Sequence, residues 1–251
     1  MTDVSANSNP KPGYGYHESG YARQDDQQEG QISETTVLIR VGSDGQLPIY
    51  ATPGSAGCDL IAAADLVLLP GETRLLPLDF VMALEPGVEA QIRPRSGLSL
   101  RTSLRLPNTP GTIDSDYRAP VGVLVENTFS QADLPMQIIR KPELAKELAE
   151  PDRQLTLMQY LQRRSAEVAN RDIATINTDT LNTIQTGLPE LAGRIIYLDD
   201  QQNPYGTLYF KTGDRIAQMV FSRCIKANFV HSDQPEAVGK DRGGGFGSTG
   251  V

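Results

Sequence analysis

The 251-residue sequence has only two cysteines, two histidines and a shortage of positive charge. Cys58 and Cys224 stand far apart without metal-ligand spacing, and two histidines leave a zinc site few possible ligands, so a reduced, cytoplasmic setting is expected. With 23 Lys and Arg against 31 Asp and Glu the formal charge is −8. Such a field repels nucleic acid and anionic membranes, so an anionic ligand must be held by a local cluster of basic side chains. Neither a polynucleotide nor a membrane partner is expected. No apolar run approaches the length needed to span a bilayer, and residues 1–30 lack the apolar region of a secretion signal. The glycine-rich stretch at Arg242–Gly250 lacks the Gly-Lys-Ser/Thr ending of a Walker loop and has no strand-loop-helix context, which argues against that class of nucleotide triphosphatase.

What is present is a core-forming sequence between two polar ends. Hydrophobic residues make up 39% of the chain, enough for one large domain with additions. Residues 1–34 are rich in Gly, Ser, Gln and Asp with almost no aliphatic side chains, and read as a disordered tail. From Thr36 the runs TTVLIRV, LPIY, CDLIAAADLVLLP, TRLLPLDFVMAL and VEAQIRP are short, rich in Val, Leu and Ile, and punctuated by Gly and Pro. PGET at Pro70 and EPGV at Glu85 are turn signals with glycine where positive φ is wanted. The expected architecture is mainly β, a jelly-roll-like barrel or sandwich. Its core spans residues 35–129 and 207–236, with a helical insertion at 130–206 and a mobile arm at 237–251. Within the insertion, Leu155, Met158, Leu161, Ser165, Val168 and Ala169 recur at helical spacing; a short helix Glu143–Glu150 and a longer one from Pro151 are the simplest parse. RIIYLDD, TLYFKTGD and RIAQMVFSRC return to the β texture.

Five stretches carry residue types suited to chemistry, and each has a plainer reading. Gly54–Leu60, GSAGCDL, delivers the carboxylate of Asp59 at a strand start, though alone it is only a turn. Arg93–Leu98, RPRSGL, sets a guanidinium and a hydroxyl beside Gly97, suited to phosphate oxygens or simply to a tight strand-to-helix corner. Leu106–Arg118, LPNTPGTIDSDYR, is a turn dense in backbone donors and acceptors followed by two carboxylates and a Tyr. It can read a planar base edge and orient a water, or be a surface hairpin with solvated acids. Gly213–Val220, GDRIAQMV, offers Gln218 to phosphate or to solvent. Arg242–Gly250, RGGGFGSTG, is a flexible arm with one cation, one aromatic and two hydroxyls, or a low-complexity tail.

In this order the five stretches resemble the signature motifs of the trimeric dUTP diphosphatase family, over Thr36–Phe129 and Thr207–Val251. The resemblance implies a β jelly roll closing into a homotrimer whose active sites draw on all three chains. It implies hydrolysis of dUTP to dUMP and pyrophosphate with Mg²⁺, supplying dUMP and keeping uracil out of DNA. Asp114 would deprotonate the water attacking the α-phosphorus. Asn108, Gly111 and Thr112 would pair with uracil, and Tyr117 would pack under the deoxyribose. Arg95, Ser96, Gly97 and Gln218 would hold phosphates. Arg242, Gly247, Ser248 and Thr249 would close over the γ-phosphate while Phe246 stacks on the base. Mg²⁺ would be bound chiefly by substrate oxygens and water, with Asp59 contributing through water.

The sequence departs from the family pattern at Cys58, where an aromatic is common, and at Ala119-Pro120, where Gly and an acid are usual. The larger departure is the long span between Asn127 and Gly213. The nearest rival, a dCTP deaminase of similar fold, would need a catalytic Glu earlier in its strand than Glu126 and would lack the Phe-bearing arm. A non-enzymatic regulatory module, with the inserted helices as a protein-partner surface, is the second alternative; an inert embellishment is the plainer one.

Overall fold

The computed structural model describes residues 34–167 and 177–239. Its elements begin with strands β1 (Leu38–Val41), β2 (Ile49–Tyr50), β3 (Cys58–Ile61), β4 (Leu66–Leu68), β5 (Thr73–Pro77), β6 (Phe80–Ala83) and β7 (Val88–Pro94). Helix α1 (Ser96–Arg101) precedes β8 (Leu104–Arg105), β9 (Gly111–Ile113) and β10 (Gly122–Asn127). Then come α2 (Leu134–Arg140), α3 (Leu144–Leu148), β11 (Gln154–Thr156), α4 (Leu157–Glu167), α5 (Thr178–Gly187), α6 (Pro189–Ala192) and β12 (Ile195–Tyr197). The chain returns to the body in β13 (Leu208–Phe210) and β14 (Arg215–Arg223). The fold is mainly β, as expected, with its helices concentrated in an insertion between β10 and β13.

Period-two burial builds the body. In β7, Val88, Ala90 and Ile92 point inward while Glu89 and Gln91 do not; in β10, Val123, Val125 and Asn127 are the inward set. Ala90, Ile92, Val123 and Val125 meet Leu60, Leu68, Leu76, Leu78, Met82, Ile216 and Met219 in one cluster. Each fully buried aliphatic there contributes about 1.5–3 kcal/mol. Gly71 and Gly87 have φ of 76° and 84°, as the two turn signals require, and Val88 N–H closes its turn on the Glu85 carbonyl at 3.1 Å.

The sheet that matters for the site has the order β2-β3-β14-β7-β9, all antiparallel. A second sheet runs β5-β10-β8, and two-stranded pairings join β1 to β6 and β4 to β13.

The insertion differs from its expected parse. Pro151 opens a short 3-10 turn, Pro151–Arg153, and the longer helix starts only at Leu157. Between them β11 pairs with β12, so RIIYLDD belongs to the insertion and pairs within it. Leu134, Leu144 and Leu148 form a small separate core with Phe129, Ile138, Tyr197 and Tyr205 against it. Among the described residues no helix is long and apolar enough to cross a membrane.

Candidate functional site

Four of the five stretches fall on neighbouring strands of one sheet. GSAGCDL ends in β3, GDRIAQMV starts β14, RPRSGL ends β7 and enters α1, and the base-reading hairpin supplies β9. In register, Gln218 of β14 lies between Asp59 of β3 and Arg93 of β7. Three stretches distant in sequence are thereby brought to one end of the sheet.

At that end the charges are paired. Asp59 is ion-paired with Arg95 Nε through one carboxylate oxygen at 2.8 Å and accepts from Arg215 Nη1 on the other at 3.2 Å. Arg95 Nη1 also donates to the Arg215 carbonyl at 3.1 Å. Gln218 Nε2 donates to the Pro94 carbonyl at 2.8 Å. Its Oε1 lies against Gly57, where an added Cβ would come within 2.8 Å. Ser96 is exposed and Gly97 half-buried at the start of α1, so RPRSGL is a strand-to-helix corner that also carries donors. Sequence reasoning missed Arg215 and Gly57; the first was legible only once β3 and β14 were known to be neighbours.

The hairpin is held from below. Leu106 and Ile113 enter the main core, and Gly111 is buried with Asn108 Nδ2 over it, 3.1 Å from where a Cβ would sit. Asn108, Thr112, Asp114 and Tyr117 are exposed. Asp114 and Tyr117 share one turn, with Tyr117 N–H on the Asp114 carbonyl at 3.1 Å. The Tyr117 hydroxyl donates to the Pro120 carbonyl at 3.1 Å, and Arg118 Nη1 donates to the carbonyls of Ser115 and Tyr117 at 2.7 and 2.8 Å. These bonds fix the Asp-to-Tyr turn where the family's usual Gly and acid are replaced.

The structure does not bring Asp114 to the Arg95 group within one chain. Ile113 pairs with Ala90, whereas Arg95 follows Pro94 at the opposite end of β7. Five residue steps separate Ala90 from Arg95, about 16 Å at strand rise. Arg242, Phe246, Gly247, Ser248 and Thr249 lie outside the described residues.

No group of three His, Cys, Asp or Glu able to hold a metal occurs among the described residues. Asp59, the expected indirect ligand, has both oxygens on guanidiniums. The donor set does not form a protein cage for a divalent cation; it suits a polyanion.

The family model described as dUTPase matches residues 43–146. The deoxyuridine 5'-triphosphate nucleotidohydrolase of Anaeromyxobacter sp. (strain Fw109-5) is 44% identical over 124 residues, covering 46% of this chain and 84% of that protein. The protein of the same name from Methylocella silvestris is 45% identical over 114 residues, covering 44% and 69%. Among solved structures, a mutant Staphylococcus bacteriophage 80alpha dUTPase with dUpNHpp superposes with TM-score 0.56 at 19% identity, covering 87% of this chain and 100% of that one. The dUTPase from phage phi11 of S. aureus, described for its species-specific insert, gives 0.52 at 19%, covering 81% and 99%. At that identity the structural likeness carries the fold; the family rests on the sequence relatives. With motifs, sheet order and relatives in agreement, the chain belongs to the dUTPase family.

Proposed function

We propose that the chain hydrolyses dUTP to dUMP and pyrophosphate. The observation that carries this reading is the placement of four ordered motifs on the consecutive strands β3, β14, β7 and β9. The nucleotidohydrolase relatives support the same reaction.

In this reading Asp114 takes a proton from the water that attacks the α-phosphorus. Asn108 and the backbone at Gly111 and Thr112 pair with uracil, and the Tyr117 ring, its hydroxyl tied to Pro120, packs under the deoxyribose. Cytosine would leave the hairpin's donors and acceptors mismatched and buried, a discrimination that binding alone can supply. Arg95, Ser96, Gly97 and Gln218 receive phosphate oxygens, and Arg242, Phe246, Gly247, Ser248 and Thr249 are assigned to the γ-phosphate and base by the family resemblance. Mg²⁺ would enter with the substrate rather than in a protein cage, and would neutralise phosphate charge when bound.

The distance along β7 between Asp114 and Arg95 supports a site completed by other copies, hence the homotrimer. Leu75 and Leu124, paired across β5 and β10 and 61% and 36% exposed, give that sheet an apolar outer face suited to burial between subunits. A protein partner at the insertion is the finer proposal; Met136 and Ile139 on α2 are exposed there. Glu126, which stands later in its strand than the Glu a deaminase would need, is paired in register with Thr73 and Arg105.

The test is to supply dUTP, dCTP, dTTP and UTP in separate assays with detection of pyrophosphate and ammonia. Pyrophosphate from dUTP alone is expected. Ammonia from dCTP, or no reaction with dUTP, overturns the proposal.

A further inference from the structure

The pairing of Asp59 with two arginines has a geometry that the phosphate reading alone does not require. In β14, Ala217 and Met219 point into the core, so strict alternation would send Arg215 inward as well. The register against β3 slips between Arg215 and Ala217, a bulge that lets Ile216 and Ala217 both be buried. Bulges re-aim side chains. Here the slip turns Arg215 outward, with 59% of its side chain exposed, and onto Asp59, of which only 14% is exposed.

We propose that Asp59 is a positioning residue that holds Arg95 and Arg215 as a paired cation for the triphosphate, resting on the dUTP reading above. Asp59 uses one oxygen for Arg95 Nε and the other for Arg215 Nη1. Arg95 spends Nη1 on the Arg215 carbonyl, which leaves Nη2 without a partner among the described residues. A guanidinium anchored through two of its nitrogens has lost its rotamer freedom before ligand arrives, so less is lost per bond formed to phosphate. The trio keeps one net positive charge, and the carboxylate is screened from the phosphates by the groups it holds.

Three roles for Asp59 predict three different results for Asp59→Asn. If only charge mattered, removing a carboxylate beside a polyanion would tighten binding. If Asp59 served a metal through water, binding would weaken in Mg²⁺ and stay unchanged in chelator. Positioning predicts weaker binding in both.

The experiment measures affinity of the full chain for a non-hydrolysable imido analogue of dUTP and for dUMP, each in Mg²⁺ and in EDTA. For Asp59→Asn the expected result is roughly a tenfold or greater loss of analogue affinity in both media, the scale of a charge-assisted hydrogen bond. Affinity for dUMP is expected to move much less, and Asp59→Glu to recover part of the loss. Arg215→Gln, at an exposed side chain, gives a second route should Asp59→Asn fold poorly, and is expected to weaken the analogue several-fold while sparing dUMP. Unchanged or tighter analogue binding, or a loss confined to Mg²⁺, overturns the positioning role. If the unsubstituted chain itself fails to bind the analogue, the dUTP reading falls and the positioning role with it.

Discussion

The side-chain amide of Asn127 donates to the Gly206 carbonyl at 2.9 Å, joining the two roots of the insertion through one buried residue. The same Nδ2 donates to the Leu68 carbonyl at 3.1 Å, while Oδ1 accepts from Ser103 Oγ at 2.6 Å and from Phe129 N–H at 3.1 Å. Phe129 in turn fills the space where Gly206 lacks a side chain, and its ring meets Tyr205 edge-on at 5.8 Å. Further out, the Tyr209 hydroxyl on β13 donates to Asp199 at 2.5 Å and accepts from Asn203 at 2.9 Å. The insertion is therefore fastened to the body by polar bonds at several points.

Replacing Asn127 with Leu should destabilise the protein by about 2–4 kcal/mol, because buried partners in the body and at both roots lose their bonds together. Thermal unfolding checks this, with the melting point falling several degrees. An unchanged melting point would show that the roots are held elsewhere.

Gly57→Ala should raise KM for dUTP with little loss of stability. The new methyl comes within 2.8 Å of Gln218 Oε1 and 3.3 Å of Val220 Cγ2; both are side-chain ends that can move, but moving Gln218 takes its Nε2 from the Pro94 carbonyl and from the proposed phosphate position. Steady-state kinetics read this directly; an unchanged KM would remove Gln218 from the phosphate site.

Removing Ser130–Pro204 and bridging the gap with Gly and Ser should leave dUTP hydrolysis largely intact, since the motif-bearing strands lie outside that span. Activity and sedimentation of the shortened chain check it. Dissociation of an assembly that the full chain forms would assign the insertion a structural role.

Much of the body was legible because its signals are local: PGET and EPGV specify positive φ at their glycines, and β7 and β10 alternate over enough residues to be read. The insertion was less legible because β11 is three residues long and its partner β12 lies far along the chain, so no local period reveals either. One available signal was missed. Thr156-Leu-Met-Gln159 is a capping box, with Gln159 N–H donating to Thr156 Oγ1 at 3.2 Å and Thr156 N–H to Gln159 Oε1 at 2.8 Å; it starts α4 at Leu157. At the site, Asp114, Asn108 and Tyr117 are nominated through the resemblance of the five ordered motifs to the family, but the Asp59–Arg215 pair depends on a bulge that no sequence pattern announces.

Because Asp114 follows β9 beside one end of β7 and Arg95 follows the other end, a site shared between copies predicts that two inactive chains complement each other. Co-assembling Asp114→Asn chains with Arg95→Ala chains should restore part of the activity, as some sites then combine an intact base with an intact phosphate group. Activity no greater than the sum of the separate variants would place the whole site in one chain.

The most direct measurement is turnover and analogue affinity for Asp114→Asn. The exposed carboxylate at the end of β9 is assigned to the attacking water, so the substitution should leave affinity for the imido analogue of dUTP nearly unchanged. Turnover should fall by about 10² to 10⁴, the usual cost of losing a general base. Undiminished turnover would contradict the assignment of Asp114 and the mechanism built on it.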